Sequence, residues 1–107
     1  MDYSVFARTL EAHNALTAFE AMLADATPAR RKTLEKRIRK QLTLVEQLYQ
    51  EALDVVNAID DPVIQGILLL RCLKGLRWED VGYGMDMKPD AAQQRFLRWK
   101  KANHIDI

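Results

Sequence analysis

The sequence is poor in residues that interrupt helices and has no long apolar run. Its 107 residues include four Gly and three Pro, too few for a collagen-like or a largely disordered chain. The longest apolar run, Ile67 to Leu70, is far shorter than the roughly 20 residues that a membrane-spanning helix needs. The chain does not open with a basic stretch followed by an apolar one, so no signal peptide is visible. We therefore expect a small, soluble, cytoplasmic and mostly helical protein without a membrane partner.

Residues that carry out catalysis are also scarce. The single cysteine, Cys72, cannot form an internal disulfide and stands in an apolar stretch, where a buried thiol is ordinary. The two histidines, His13 and His104, lie far from Cys72 in sequence, so neither a metal-ligand spacing nor a Cys/His pair is present. The sequence Gly82-Tyr83-Gly84 lacks the preceding strand and the further glycine of a phosphate-binding loop. We predict no enzymatic activity, no cofactor and no metal.

Charge is strongly segregated along the chain, although the net charge is only +1. Residues 28–40 hold seven Lys or Arg and one Glu, and residues 88–107 carry a net charge of +3. Residues 1–27 and 41–87 carry net charges of −3 and −5. Two basic clusters on an otherwise acidic chain are typical of proteins that bind polyanions. Ordinary solvated helix faces have the same composition, so charge alone leaves both interpretations open.

The first half of the chain has the pattern of a helical hairpin. Apolar residues recur at helical spacing from about Tyr3 to Leu23, and Thr27-Pro28 is a typical start for the next helix. That second helix runs from Pro28 to about Ile59 and carries a heptad seam interrupted by one glutamine. The two rows of the seam are Ile38, Val45, Ala52 and Ile59, and Leu34, Gln41, Leu48 and Val55. Residues 1–59 are therefore predicted to form an antiparallel, coiled-coil-like hairpin.

The second half has the pattern of three shorter helices. Asp61-Pro62 begins a helix that runs to about Lys74, and Gly75 is expected to end it in a left-handed conformation. Two further helices are predicted, over residues 78–85 and 89–103. A buried helix followed by a helix, a tight turn and another helix is the layout of a helix-turn-helix domain. We predict an all-α protein in which residues 1–59 form an oligomerisation hairpin and residues 60–107 form this domain.

The last helix has one apolar face and one polar face. Ala92, Phe96 and Trp99 form the predicted inner face, and glutamines with cations form the outer face. Glutamine can bond the adenine edge at two positions, and Arg or Lys reaches guanine or phosphate, so this face suits a DNA major groove. The predicted DNA-binding residues are Arg77, Lys88, Gln93, Gln94, Arg98 and Lys101, with Arg37, Arg39 and Lys40 as candidate phosphate contacts. A helical bundle with a polar outer face fits the composition equally well.

Residues 56–102 resemble the helix-turn-helix of sigma-factor region four. The resemblance is carried by Ile59-Asp60-Asp61-Pro62, by the stretch from Ile67 to Val81 with its Leu-Arg-x-x-x-Gly-x-x-Trp-Glu pattern, and by Lys88 to Ala92. It is closest to phage-encoded transcriptional regulators of the ArpU/RinA-like group, which join an N-terminal helical segment to such a unit. The resemblance implies a DNA-binding transcriptional regulator of phage or prophage origin.

Three positions depart from the pattern of that family. Cys72 replaces the usual aromatic residue, and Asp86 stands where the turn commonly has Gly, although Asp can adopt a left-handed conformation at some cost. Lys88-Pro89-Asp90 replaces the usual Ser or Thr cap and places a carboxylate where the helix would approach phosphate, which predicts weak DNA affinity per monomer. Gly82 and Gly84 are expected to weaken their helix, each by up to about 1 kcal/mol relative to Ala.

Two other functions are compatible with the same sequence. One is a protein-interaction module that binds RNA polymerase or another regulator, and the other is the small subunit of a DNA-packaging machine. We also expect a homodimer formed through the hairpin, because the heptad seam and an additional apolar face offer surface to a partner. That additional face consists of Tyr3, Phe6 and Leu10. Pairing would raise the effective concentration of a DNA-binding unit that is small on its own.

Overall fold

A computed structural model describes all 107 residues and confirms the all-α prediction. The helices are α1 (Val5–Ala24), α2 (Pro28–Asn57), α3 (Pro62–Ile67), α4 (Trp78–Met85) and α5 (Pro89–Ala102), and α3 continues directly as a π-helical segment (Leu68–Leu73). Their ends agree with the predicted ends to within two residues. The molecule is elongated, with principal extents of 52 × 28 × 19 Å. None of its helices combines the length and the apolar character needed to cross a bilayer.

The helix boundaries follow from local residue chemistry. The Asp61 carboxylate accepts hydrogen bonds from the backbone N–H groups of Val63 and Ile64, at 3.0 and 3.3 Å, and so caps α3 as predicted. Gly75 has a φ of +67°, the left-handed conformation expected after the third helix. Thr27 precedes Pro28 in an extended conformation at the start of α2, but its hydroxyl makes no capping hydrogen bond.

The helices α1 and α2 pack against each other as an antiparallel hairpin. Leu34, Leu48 and Ala52 of the predicted seam are buried in this packing. Gln41, the polar residue in the seam, also joins the two helices, because its side-chain amide donates a 2.8 Å hydrogen bond to the carbonyl oxygen of Ala12. The seam therefore packs mainly against α1 of the same chain.

The π-helical segment was not predicted from the sequence. Its turns are one residue wider than those of an α-helix, as shown by the 3.1 Å hydrogen bond from the Lys74 N–H to the Leu69 carbonyl. In a regular α-helix, Arg71 would follow Ile67 on the buried face. The wider turn brings Leu73, five residues after the buried Leu68, to the core instead. In this segment the α-helical hydrogen-bonding pattern is replaced by a wider one, and Leu73 is buried as a result.

One hydrophobic core joins the hairpin to the C-terminal helices, and it covers the additional apolar face at the start of α1. Phe6 is only 2% exposed, and the ring of Tyr3 packs edge-on against Trp99 with centroids 5.8 Å apart. Leu10 lies against Gly75. Phe6 is therefore buried by the same chain, whereas Tyr3 and Leu10 remain partly exposed, so this face offers a partner chain less surface than expected. The core itself contains Val5 and Phe6 together with buried residues of every later helix.

Candidate nucleic-acid interface

A tight turn sets the angle between α4 and α5. Asp86 adopts the left-handed conformation expected of it, with φ 53° and ψ 46°, and the Met87 N–H donates a 2.8 Å hydrogen bond back to the Gly82 carbonyl. A Cβ atom at Gly82 would lie 2.6 Å from the Met87 carbonyl oxygen, closer than atoms can approach. The expectation that Gly82 merely weakens its helix is therefore incomplete, because this glycine allows the turn to close.

Burial determines which side of α5 faces outward. Ala92 is fully buried and Phe96 nearly so, which confirms the predicted inner face. The Phe96 ring lies 5.7 Å from that of Trp78 and 6.1 Å from that of Trp99, centroid to centroid. Both tryptophans thus pack against the core. This aromatic cluster holds α5 against the remainder of the molecule.

The opposite side of α5 is exposed and carries three of the six predicted DNA-binding residues. Gln94, Arg98 and Lys101 recur at spacings of four and three residues, so they share one side of the helix, and all three are exposed. Gln93 lies on the flank and is partly buried. Lys88 is exposed at the N-cap of α5. Leu97, also on α5, is 41% exposed and adds aliphatic surface.

The predicted residue Arg77 lies outside this helix. It occupies the N-cap of α4, its side chain is 81% exposed, and its Nε lies 3.7 Å from an Asp80 carboxylate oxygen. An ion pair at that exposure contributes little to stability, so the guanidinium remains accessible to an anion.

Three other cations of the C-terminal half are held by contacts within the chain. Arg95 forms a 3.1 Å ion pair with Asp61. Lys100 lies 5.2 Å from the centroid of the Phe96 ring and donates to the Ile107 carbonyl. Arg71 lies over Trp78, 5.0 Å from the ring centroid, and donates a 2.8 Å hydrogen bond to the Leu76 carbonyl. These contacts leave the side chains of Arg98 and Lys101 as the cations of α5 that make no ion pair or cation–π contact.

Two titratable groups near α5 are perturbed by their surroundings. Partial burial opposes ionisation of Asp61, but hydrogen bonds from Arg95 and from two backbone amides outweigh it and lower the pKa of this carboxyl. Burial raises the pKa of the Cys72 thiol to about 11, with Arg71 and Lys100 opposing the shift. At neutral pH the thiol is protonated and acts as a small apolar side chain of the core.

A carboxylate also lies on the DNA-facing side that we predicted. Asp90 is exposed in the first turn of α5, one turn before Gln94. It interacts favourably with the helix dipole but would repel phosphate. The first turn of α5 is therefore poorly suited to phosphate, and the cations farther along the helix are better placed.

One exposed residue of this region was missed in the sequence. Tyr83 is 91% exposed on α4, two residues after the buried Val81 and so on the opposite side of the helix. It borders a shallow depression beside the turn, together with Asp86 and Lys88. Helical spacing could have identified it, since the apolar Val81 and Met85 are four residues apart and so share the other side of α4. In a helix-turn-helix the first helix crosses the DNA backbone, where a tyrosine hydroxyl can bond phosphate.

The second basic cluster lies far from α5. Arg37, Arg39 and Lys40 are exposed near the start of α2, and the guanidinium of Arg37 lies over the Phe19 ring at 5.2 Å. Leu48, the first residue of α2 in the main core, lies 11 residues beyond Arg37, which corresponds to about 16 Å of helix, and α2 makes no extensive contact with α5. The structure does not bring the two predicted groups of DNA contacts together.

Comparisons with models of protein families, with curated proteins and with solved structures gave no match. The function of the chain must therefore be inferred from the geometry of α4, the turn and α5.

Proposed function

We propose that the protein is a DNA-binding transcriptional regulator of phage or prophage origin, which inserts α5 into the major groove of double-stranded DNA in the cytoplasm. The observation that carries the proposal is the exposed side of α5, where Gln94, Arg98 and Lys101 lie opposite the buried Ala92 and Phe96. The resemblance of residues 56–102 to sigma-factor region four supports the same function.

The exposed side chains suit two kinds of DNA contact. Gln94 carries both a donor and an acceptor, as bidentate bonding to adenine requires, and Gln93 can add to it from the flank. Arg98, Lys101 and Lys88 supply the cations that bond guanine or phosphate. Arg77 and Tyr83 on α4 would contact the backbone beside the groove. Since Asp90 opposes phosphate, we expect weak binding by a single chain.

The test is a selection of bound sites from random and genomic DNA, followed by binding measurements on the selected site. Gln94→Ala should weaken binding to that site by on the order of 1–3 kcal/mol and leave non-specific binding nearly unchanged. Gln50→Ala is the matched control, since it removes an exposed glutamine from α2. If Gln93→Ala and Gln94→Ala both bind the selected site as the parent does, α5 does not read bases.

A protein-binding function is the second candidate. It is favoured by Tyr83 and Leu97, large side chains that remain exposed on α4 and α5, and by the carboxylate of Asp90. In that case the same surface would dock on RNA polymerase or on another regulator. Two results together would favour this function over the first. The protein would show no salt-dependent or sequence-specific binding to DNA, and Tyr83→Ala would weaken capture of RNA polymerase.

A homodimer remains part of the proposal. One helix-turn-helix unit buries little DNA surface, and linking two units makes the second binding event intramolecular. Contacts within the chain use much of the heptad seam and of the face formed by Tyr3, Phe6 and Leu10. We therefore expect a dimer to form mainly through another side of the molecule.

A further inference from the structure

A second heptad row runs along α2 on the flank of the hairpin, beside the face that packs against α1. Its six residues alternate in spacing by three and four positions, so they form one stripe along the helix. They are Arg37, Lys40, Leu44, Gln47, Glu51 and Asp54, and we call them the outer row. All six are exposed, and Leu44 is 43% exposed. None of the charged members forms an ion pair within the chain.

The outer row changes sign along its length. It begins with two cations, passes through one aliphatic and one neutral polar residue, and ends with two carboxylates. The change of sign extends beyond the row, since residues 28–40 carry a net charge of +6 and residues 41–57 contain three acids and no base. A second copy in antiparallel orientation would therefore place opposite charges together, and a parallel copy would place like charges together.

We propose that two copies of the protein pair through the outer rows of α2, antiparallel and about a two-fold axis. The outer row alternates between two heptad positions, one held by Arg37, Leu44 and Glu51 and the other by Lys40, Gln47 and Asp54. In an antiparallel coiled coil, residues at the first position of one helix face residues at the second position of its partner. Pairing Leu44 with Gln47 of the second copy places Lys40 opposite Glu51 and Arg37 opposite Asp54. Two-fold symmetry repeats each pair, so all four charged positions of both chains are complemented.

The local structure prepares the row for this contact. The Arg37 guanidinium lies 5.2 Å from the centroid of the Phe19 ring of α1, a contact that limits the motion of this side chain at the edge of the hairpin. Leu44 borders a shallow groove of about 390 Å³ with Leu48, Gln41 and residues of α1, and this groove can receive the leucine of the second copy. No other row of α2 pairs both of its carboxylates with cations in this way.

The contact should be weak and sensitive to salt. Exposed ion pairs gain little energy and are screened, since the Debye length falls from about 10 Å at 0.1 M to about 3 Å at 1 M salt. Sedimentation without DNA should show a dimer of the full chain at high micromolar concentration and low salt, and a monomer at high salt. A monomer under both conditions overturns the proposal. Association that strengthens with salt also overturns it, because it would be driven by apolar surface elsewhere.

Charge reversal identifies the surface. The double variant Arg37→Glu/Lys40→Glu has an acidic row, and Glu51→Lys/Asp54→Lys has a basic row. Each should be monomeric alone, and an equimolar mixture should form a heterodimer in which every charged pair is restored. The matched control is Lys32→Glu/Arg39→Glu, which changes the net charge equally on α2 but away from the row.

Circular dichroism of each variant before mixing reports its helix content. A variant that folds poorly is therefore recognised and is not mistaken for a variant that cannot pair. Two folded variants that do not associate, or a control that dissociates as the variants do, would refute the pairing. Since no DNA is present, this failure would leave the proposed role of α5 untouched. Conversely, a dimer that binds no DNA would refute only the role of α5.

Discussion

The two basic surfaces of this protein differ in how they are positioned. On α5, the core holds one side of the helix inward, and internal contacts occupy Arg95 and Lys100, so the remaining cations face one direction. Near the start of α2, cations surround the helix, and only Arg37 is held by a neighbouring ring. A cluster of like charges in a sequence therefore indicates little about function until burial shows which of its members share a direction.

The largest effect should come from removing the anchor of α5. Phe96→Ala should destabilise the protein by roughly 3–5 kcal/mol, because the truncated side chain leaves a cavity beside Trp78 and Trp99. Thermal or denaturant unfolding measures this, and binding to specific and non-specific DNA should fall together. The neighbouring Leu97→Ala is the matched control, and as an exposed position it should stay within about 0.5 kcal/mol of the parent. Equal destabilisation by both variants would mean that α5 is not oriented as described.

Much of the fold could be predicted from local sequence signals. Asp61-Pro62 marks the start of a helix and Gly75 marks the end of one. Both signals depend only on neighbouring residues, so these helix ends could be predicted. The inner face of α5 followed from the spacing of Ala92, Phe96 and Trp99. The π-helical turn could not be predicted, because it depends on the core that Leu73 enters.

Contacts between distant parts of the chain were beyond the sequence pattern. Periodicity showed that Tyr3, Phe6 and Leu10 share an apolar face, but it could not show that the C-terminal half of the chain covers part of it. In the same way, nothing in the sequence distinguishes Arg95, which pairs with Asp61, from the free Arg98. Whether a cation belongs to the candidate site is decided by such partners.

The turn before α5 offers a way to disturb this surface without changing any charge. Gly82→Ala should cost about 1–3 kcal/mol, because the new Cβ would meet the Met87 carbonyl and force α4 and α5 apart. At Gly84 an added Cβ meets only the flexible end of Leu70, so Gly84→Ala should be nearly neutral. Denaturant unfolding compares the two variants. DNA binding should weaken in Gly82→Ala alone, whereas pairing through α2 should persist in both variants. Loss of pairing in Gly82→Ala would show that the two basic surfaces are coupled.

The Asp61–Arg95 pair connects α5 to the start of α3 and has a pH dependence of known sign. The folded state lowers the pKa of Asp61, so this stabilisation is present above about pH 4 and is lost as the pH falls further. Asp61→Ala, which removes both the cap and the ion pair, should cost about 1–2 kcal/mol at neutral pH. Asp61→Asn keeps a capping side chain and should cost less. Urea unfolding at several pH values should show a smaller acid-induced loss in both variants than in the parent, and an unchanged loss would assign the acid sensitivity to other carboxyl groups.

The smallest effects should distinguish the two basic surfaces directly, through the salt dependence of DNA binding. Each phosphate contact contributes about 0.9 to the slope of log affinity against log salt, so Arg98→Gln and Lys101→Gln should each lower that slope by about this amount. Arg39→Gln, which neutralises a cation of α2 outside the outer row, should leave the slope unchanged if DNA contacts only α5. A slope lowered equally by Arg39→Gln would instead confirm the phosphate contact predicted for Arg37, Arg39 and Lys40. DNA would then run along the hairpin as well as across α5.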